Sequence, residues 1–320
     1  MLDERAPLSA AALRRAAWAG LQDSMPRAAL LSIHARVEGA VHSTWEHSSL
    51  AQIWGPRFSA YVVPARDVPP FTLGRMPDEI EDRRKFEDLA LRLDGFLQGR
   101  RVRFGDVQRP LGLSHRNYVR YATTTGRVRI RWDGARQPTM WTTPALNVEP
   151  WAARLELARR YLYVFGPGTA SSFAEWAGIA PASGRDAFTS LARSLTPVRT
   201  PIGDAWILAK EEPAVRAAPH AAAPARLLPS GDPYFLLQGR DRELLVPDAI
   251  RRRALWTPRV WPGAVLVDGE ISGTWRRAAG TVTIQTWRRL TRAQRDAVAR
   301  EAASLPLPEL EGRVAVRWDD

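Results

Sequence analysis

The chain has 320 residues, 45% of them hydrophobic, which is enough to bury a substantial core in two or three small domains or one large one. It contains no cysteine, which excludes disulfides, thiolate nucleophiles and cysteine-based zinc sites. Its formal net charge is +12, but a strong bias toward Arg, Ala and Pro contributes to that total, so the location of the charge is the better guide to an anionic partner. The longest apolar runs are too short to cross a bilayer and the first residues lack a signal-peptide pattern, so we expect a soluble cytoplasmic protein that does not bind membranes.

The first predicted unit, residues 1–75, contains three helical patterns followed by a strand. The helical patterns are SAAALRRAAWAGL, PRAALLSIHARV and TWEHSSLAQIWG, and the strand is RFSAYVVP, in which β-branched and aromatic residues replace the helical spacing. Before the second helix stand Gln22, Asp23 and Ser24. One explanation is a helix cap, in which Asp23 or Ser24 accepts hydrogen bonds from backbone amides of the first turn and Pro26 occupies the first helical position. The other explanation is that these side chains face a substrate.

The second predicted unit, residues 76–146, repeats this order. EIEDRRKFEDLALRLDGFL is a long amphipathic helix, RFGDVQRPL a short one, and SHRNYVRYATTTG a third with Ser114 as its N-cap. RVRIRWDGARQPTMWTTP alternates with period two around Asp133 and Gly134, a pair that favours a tight hairpin. Helices followed by a hairpin are typical of a winged helix, with the hairpin as the wing.

The third predicted unit, residues 147–212, has the same pattern again. Its helices are WAARLELARRYLYVFG, ASSFAEWAGI and GRDAFTSLARSL, and PVRTPIGDAWIL forms a hairpin with a turn at Gly203 and Asp204.

A Pro/Ala-rich linker, residues 213–225, leads to a β-rich domain over residues 226–320. RLLPSGDPYFLL, RELLVPD, GAVLVDGEISGTWRR and GTVTIQTWRRL are predicted to be strands, and TRAQRDAVAREAASL a closing helix. The predicted fold is therefore α+β: three tandem winged-helix modules followed by a small C-terminal β-barrel-like domain with a terminal helix.

Positive charge is concentrated in residues 100–136, which carry ten arginines and two aspartates. Arg127, Arg129 and Arg131 alternate along one predicted strand and so share one face. A solvated outer strand would show the same alternation, but Arg116 and Arg120 on the preceding helix favour contacts with phosphates. Binding through such contacts is expected to depend strongly on salt.

The motifs of most enzyme classes are missing. The five histidines show no HxxxH or HExxH spacing with a supporting carboxylate, so no metal site is predicted; His42 and His47 near Glu46 are the nearest approach to one. GxSxG, GxxxxGK[ST] and GxGxxG do not occur, which removes the usual supports of acyl transfer, nucleotide hydrolysis and dinucleotide chemistry.

Four blocks together resemble the AlkZ/YcaQ family of bacterial winged-helix DNA glycosylases. They are LQDSMPRAALLSIHARV, RRYLYVFGPGTASSFAEWAGI, ARLLPSGDPYFLLQGRDRELL and WPGAVLVDGEISGTWRR, in the family's order and approximate spacing, and the resemblance spans nearly the whole chain. It implies three winged helices and a β-barrel around a basic channel for double-stranded DNA, with no metal, organic cofactor or obligate protein partner.

The resemblance also implies an activity and its residues. Members of the family excise alkylated purines, including bulky adducts and interstrand crosslinks, and carry a QxQ or QxD motif before the helix that PRAALLSIHARV matches. The motif falls on Gln22, Asp23 and Ser24, with serine where the family has Gln or Asp and a carboxylate one position early. Gln22 and Ser24, with Asp23 if it reaches the site, are therefore the expected catalytic residues.

The expected DNA contacts are Arg116, Arg120, Arg127, Arg129 and Arg131, together with Arg57 on the first strand after WGP. A channel formed within one chain needs no partner subunit, and a cytoplasmic DNA-binding protein of this kind would associate with the nucleoid. The alternative function is non-catalytic: a winged-helix transcription regulator or a damage sensor, which the altered motif leaves open. Binding to RNA lacks an RRM, KH or double-stranded RNA-binding signature.

Overall fold

The computed structural model describes residues 2–25, 27–134, 136–218, 221–307 and 314–319, in which helices combine with mostly antiparallel sheets. The predicted α+β class is confirmed. Pro26, predicted at the start of the second helix, and His220 lie outside the described residues. Within the described part of the chain, no helix is both long and apolar enough to cross a membrane.

The first unit places helices beside a three-stranded antiparallel sheet. Its elements are α1 (Ala10–Ala16), β1 (Leu21–Gln22), α2 (Ala28–His34), β2 (Leu50–Trp54), β3 (Ala60–Pro64) and α3 (Val68–Phe71). The strand order is β1-β3-β2, so the very short β1 lies at an edge and pairs only with β3. The sheet thereby fixes the two residues that precede the loop to α2.

The helix predicted for TWEHSSLAQIWG is wrong. Thr44–Glu46 form a single 3-10 turn, and the rest of the segment contributes β2. Ile53 on β2 is fully buried and lies opposite Tyr61 on β3. Pairing with β3 and burial of this face, which no local pattern reveals, outweigh the local helical spacing.

The second unit has one long α-helix and a small antiparallel sheet. Its elements are α4 (Ile80–Leu97), β4 (Val102–Arg103), β5 (Val128–Arg131) and β6 (Thr139–Thr142), in the sheet order β4-β6-β5. The two further predicted helices are 3-10 segments, Phe104–Val107 and Arg116–Thr125. The cap predicted at Ser114 is wrong by one residue, because the His115 side chain accepts the amide hydrogen of Asn117 at 3.2 Å.

The hairpin of β5 and β6 forms, but not with a tight Asp-Gly turn. β5 ends at Arg131 and β6 begins opposite it at Thr139, so Asp133 and Gly134 lie inside a longer connection. The amide of Trp132 donates to the Gln52 side chain at 2.5 Å instead of extending the ladder. A tertiary hydrogen bond therefore ends the strand early.

The third unit consists of three helices, a two-stranded hairpin and a short helix. Its elements are α5 (Pro150–Phe165), α6 (Ala170–Ala177), α7 (Pro181–Leu191), β7 (Leu195–Thr200), β8 (Gly203–Leu208) and α8 (Glu212–Arg216). The three predicted helices and the hairpin are confirmed. The turn predicted at Gly203 and Asp204 is wrong, since Gly203 opens β8 and pairs with Thr200, which leaves residues 201–202 as the turn.

The C-terminal part is a five-stranded sheet with helices. Its elements are β9 (Ala225–Leu228), α9 (Arg242–Leu245), α10 (Ala249–Leu255), β10 (Gly263–Val267), β11 (Glu270–Ala278), β12 (Thr281–Thr286), α11 (Arg292–Ala303) and β13 (Ala315–Asp319). The strand order is β13-β12-β11-β10-β9, with β13 parallel to β12. The predicted closing helix is confirmed as α11, which begins with a capping box between Thr291 and Gln294.

Two of the predicted C-terminal strands are wrong. RELLVPD contributes α9 rather than a strand, and RLLPSGDPYFLL forms a strand only as far as Leu228. After Leu228 the chain turns, with the amide of Asp232 donating to the carbonyl of Pro229 at 3.1 Å. The prolines of this segment have no amide hydrogen to give to a sheet, which explains why the strand stops.

A buried ion pair joins the first unit to the C-terminal part. The guanidinium of Arg36, just after α2, donates two hydrogen bonds of 2.7 Å to the carboxylate of Asp232. The Asp232 side chain is fully buried and that of Arg36 is 7% exposed. This pair fixes the turn after β9 against the first unit.

We expect Asp232→Ala to lower the free energy of unfolding by about 3–5 kcal/mol, because it leaves the Arg36 charge buried without a partner. Urea denaturation of the full chain measures the change. Asp204→Ala is the matched control, since Asp204 pairs with Arg199 at the surface, where both side chains are at least 80% exposed, and should leave stability unchanged. Equal stabilities of the two variants would contradict a structural role for the buried pair.

Candidate active site

The residues from Gln22 to Met25 leave the edge of the first sheet and lead into α2. Gln22 pairs with Tyr61 of β3, and the amide of Asp23 donates to the carbonyl of Ala60 at 2.7 Å. Gln22 and Ser24 are half-buried, Asp23 is buried, and Met25 is exposed. The extended backbone therefore turns Gln22 and Ser24 to one side and Asp23 to the other.

Gln22 and Ser24 touch each other. The Gln22 amide nitrogen donates to the Ser24 hydroxyl oxygen at 3.0 Å. The Gln22 Oε1 atom is buried, and no described protein group donates a hydrogen bond to it. The Gln22 amide thus orients the Ser24 hydroxyl, and this half-buried hydroxyl can accept from and position a small donor such as water.

Asp23 faces the interior and caps α2. Its Oδ1 atom accepts the amide hydrogen of Ala29 at 3.0 Å, and its Oδ2 atom accepts from the Gln52 side chain at 2.7 Å. Burial raises the pKa of the Asp23 carboxyl to about 6, against the lowering effect of both hydrogen bonds. Of the two roles weighed for this carboxylate, its hydrogen bonds are those of a helix cap.

Gln52 on β2 connects this cap to the second unit. Its Nε2 atom donates to Asp23, while its Oε1 atom accepts from the amide of Trp132, at the end of β5, at 2.5 Å. Gln52 is 7% exposed. One buried amide therefore fixes the position of the arginine-bearing hairpin relative to the strand that carries Gln22.

The turn after β9 covers Gln22 from the C-terminal side. Gly231 has φ +78°, and a Cβ atom added there would lie 3.3 Å from Cδ of Gln22. Both the left-handed backbone and the close approach favour glycine at this position. The buried pair of Arg36 and Asp232 fixes the next residue of the same turn.

Two cavities with cationic walls open on either side of the Ser24–Met25 segment. The first, of about 530 Å³, is lined by residues that include Ser24, Trp54, Arg116, Arg120, Trp132 and Arg136. The second, of about 350 Å³, is lined by residues that include Met25, Ser230, Trp261, Arg276 and Arg277. The segment after strand β1 thus places Ser24 in one positively charged, aromatic-lined cavity and Met25 in the other.

Arg116 and Arg120 lie where a ligand next to Ser24 would meet them. Arg116 is exposed, whereas Arg120 is half-buried, donates to the carbonyl of Phe58 at 3.2 Å and stacks over the rings of Trp54 and Phe104. Burial, with a smaller contribution from the charge of Arg116, lowers the pKa of Arg120. Arg116, Arg120 and Ser24 line the same cavity.

The arginines of the β5 strand share one face, as the alternation predicts, because Val128 and Ile130 between them are buried. Each of the three guanidiniums has an internal partner. Arg127 pairs with Asp94 at 2.9 Å and Arg131 with Glu46 at 2.7 Å, while Arg129 donates to the carbonyls of Gly126 and Val128. Burial lowers the pKa of Arg129.

Arg57 is not on a strand. It lies in the 3-10 turn Pro56–Phe58 between β2 and β3, with φ +52°, so the predicted placement is wrong. Its Nη1 atom donates to the Gln238 side chain at 3.2 Å. The side chain is exposed but lines neither cavity next to the Ser24–Met25 segment.

His34 and His47 are engaged with other groups. His34 lies within 3.1 Å of the Ser304 hydroxyl, and His47 within 2.9 Å of that of Ser49. In the described residues, no group of three or more His, Asp or Glu side chains is placed to hold a metal ion.

Several residues of the site carry no strong signal in the sequence. Gln52, Trp132 and Gly231 contact the motif residues or their partners, yet each is far from them along the chain. Arg276 and Arg277 line the second of the two cavities. They lie within the block WPGAVLVDGEISGTWRR, but the sequence of that block does not indicate that their side chains face a cavity. Of these residues, only Gly231, which follows Pro229 and Ser230, indicates a special backbone conformation from the sequence.

We expect Asp23→Asn to change how stability depends on pH. The pKa of Asp23 rises from 3.8 in the unfolded chain to about 6 in the folded protein, so the folded state binds the proton more tightly. The contribution of this group to stability therefore falls as pH rises between these two values, by about 3 kcal/mol. The asparagine of the variant does not titrate in this pH range.

Denaturation profiles measured from about pH 4 to about pH 7 test this. The difference in unfolding free energy between Asp23→Asn and the wild type should move in favour of the variant across that window. The exposed Asp204→Asn is the control and should follow the wild type. Parallel profiles for Asp23→Asn and the wild type would show that burial does not perturb the Asp23 carboxyl.

Comparisons with known proteins identify a family model and a solved structure that are similar to this chain. The model of one protein family, described as DNA glycosylase AlkZ-like, matches residues 15–306. The solved structure of Streptomyces sahachiroi DNA glycosylase AlkZ is similar over 99% of this chain and 95% of that chain, with a TM-score of 0.77 and 19% sequence identity. At that identity the likeness establishes the fold. No curated protein sequence matches significantly.

Proposed function

Because the chain belongs to the AlkZ-like DNA glycosylase family, we propose that it excises alkylated purines from double-stranded DNA and that Gln22 and Ser24 act at the scissile sugar. The observation that carries the assignment is the direct contact between these two side chains at the boundary of the two cationic cavities. A glycosylase must bring a water molecule and a deoxyribose together beside bound phosphates. At this boundary a hydrogen-bond acceptor, the Ser24 hydroxyl, lies in the same cavity as arginine side chains.

The proposed chemistry needs no metal and no strong general acid. An N7-alkylpurine already carries positive charge, so the bond from C1′ to N9 breaks with both electrons going to the base, which leaves as a neutral molecule. The sugar becomes oxocarbenium-like, and water adds to C1′ and gives up a proton to the solvent. The Ser24 hydroxyl, which lines the first cavity, accepts a hydrogen bond from this water, and Gln22 orients the hydroxyl by donating to it.

Asp23 is proposed to act as a positioning residue. Its hydrogen bonds to Ala29 and Gln52 fix the turn that brings Gln22 and Ser24 together. Without a carboxylate at position 24, the site supplies less counter-charge to the developing cation than the QxD form of the motif would. The leaving-group charge of the alkylated base compensates in part, which restricts the proposed substrates to cationic lesions.

The DNA is proposed to run over both cavities. Arg116, Arg120 and Arg136 would hold phosphates on one side, and Arg276 and Arg277 on the other. Arg131 and Arg57 would exchange an internal acceptor for a phosphate, whereas Arg127 and Arg129 stiffen the hairpin. In this proposal the three helix-and-sheet units act as winged helices, and the C-terminal sheet, curled as a small barrel, closes the channel over nucleoid DNA in the cytoplasm.

Single-turnover excision from a duplex with one N7-methylguanine tests the catalytic assignment. Gln22→Ala should slow release of the base by about 100-fold, because the Ser24 hydroxyl that positions the water loses the donor that orients it. Ser24→Asp should speed it by about tenfold, because a carboxylate stabilises the cationic sugar better than a hydroxyl group does.

Gln285→Ala is the control, since Gln285 is an exposed glutamine on β12. Unchanged rates in both site variants would overturn the roles of Gln22 and Ser24. Binding of the duplex by the wild type without any abasic product would overturn the proposed substrate.

A salt titration tests the phosphate contacts. Arg116→Ala should weaken binding of duplexes of any sequence and lower the slope of log K against log salt by about 1, because one phosphate contact is lost. Arg199→Ala, an exposed arginine on β7, is the control. An unchanged slope for Arg116→Ala would place Arg116 outside the DNA path.

A further inference from the structure

A third cationic cavity lies away from Gln22, between the first and third units. It measures about 400 Å³ and its wall comes from α1, α5, the segment after β3 and the end of β8. Its basic side chains are Arg14, Arg15, Arg66, Arg159, Arg160 and Lys210, against the single carboxylate of Glu156. It shares no lining residue with the two cavities beside Ser24 and Met25.

The ring of Trp18 lines this cavity and contacts Arg160. The guanidinium of Arg160 lies 4.0 Å from the centre of the Trp18 ring and pairs with Glu156 at 2.8 Å and with Asp67 at 3.1 Å. Tyr163 stands at 72° to Trp18 with the ring centres 6.4 Å apart, and its side chain is 45% exposed. A flat ligand can therefore stack on the exposed ring of Tyr163, which already packs against Trp18.

The remaining cations have little internal compensation. Arg14 and Arg15 make no ion pair and no side-chain hydrogen bond with any described residue. Arg66, Arg159 and Lys210 approach carboxylates only at 3.7–3.8 Å. For Arg66 and Arg159 those carboxylates, Asp67 and Glu156, are already held closely by Arg160. The rim of this cavity thus carries five cations with loose partners or none.

We propose that this cavity binds a nucleoside phosphate, either free or as part of a single strand of nucleic acid. The rim cations would hold the phosphates, and Tyr163 would stack on the base. Positive rims beside exposed aromatic rings are the combination by which proteins hold single strands. Gln22 pairs with Tyr61, and β3 ends three residues later at Pro64, roughly 10 Å along the strand at about 3.3 Å per residue. Arg66 follows that end, and the cavity shares no lining residue with the two cavities of the proposed active site.

Fluorescence anisotropy with a fluorescein-labelled hexathymidylate tests the proposal on the full chain. The paired variant Arg66→Ala/Arg159→Ala and the variant Tyr163→Ala should each bind this probe about tenfold more weakly than the wild type. Arg199→Ala, outside all of these cavities, should bind it as the wild type does, and Arg116→Ala, in the proposed active site, should lose less affinity for it than the paired variant does. All three residues changed are exposed, and circular dichroism checks that the variants fold.

Competition distinguishes the two sources of the ligand. Displacement of the probe by thymidine monophosphate supports a free nucleotide, and displacement only by longer strands supports a nucleic acid. Displacement by pyrophosphate as readily as by thymidine monophosphate, together with full binding by Tyr163→Ala, would overturn the nucleoside assignment. An equal loss of probe binding in Arg116→Ala and in the paired variant would also overturn the second site.

Excision of N7-methylguanine separates this proposal from the proposed function. The paired variant and Tyr163→Ala should excise the base from duplex DNA at the wild-type rate. Loss of probe binding with normal excision supports two independent sites. A parallel loss of excision would show that the cavity is part of the path of the substrate DNA and would overturn the second site.

Discussion

The buried carboxyl group of Asp23 holds together the elements on which the site depends. It caps α2 through Ala29, and through Gln52 it connects to the amide of Trp132 at the end of the second unit's hairpin. Strand β1, helix α2 and strand β5 are thereby fixed relative to one another by hydrogen bonds that are shielded from water. Because the backbone is extended at this point, an inward Asp23 forces Gln22 and Ser24 outward. The interior cap thus determines which side chains can meet DNA.

The C-terminal sheet completes the same site from the other side. Gly231 approaches the Gln22 side chain so closely that a Cβ atom would touch it, and the pair of Arg36 and Asp232 keeps the turn in this position. The site is therefore assembled from three parts of the chain that are about 100 residues or more apart. This arrangement explains why the short motif is not sufficient to define the site: the glutamine is oriented by a glycine and a buried ion pair on a distant turn.

Charge has two different roles in this protein. Arginines such as Arg36, Arg127 and Arg160 are neutralised by carboxylates and support the packing within and between units. Others, such as Arg116 and Arg14, are not paired with a carboxylate in the described part of the chain and line cavities. The high net charge is consequently a poor guide to where an anion binds, since the same residue type performs both tasks. Position relative to cavities and to aromatic rings separates them.

The sequence by itself determined the α+β class, most helices and the region of the proposed catalytic motif, because helical periodicity, capping residues and short motifs are local properties. It did not determine that TWEHSSLAQIWG would pair as a strand, that RELLVPD would form a helix, or that Arg57 would lie in a turn. Those outcomes depend on partners distant in the chain, such as β3 for β2. The tertiary structure alone decided that Asp23 faces inward and Gln22 outward, because the direction of a side chain beside a strand depends on what the strand packs against.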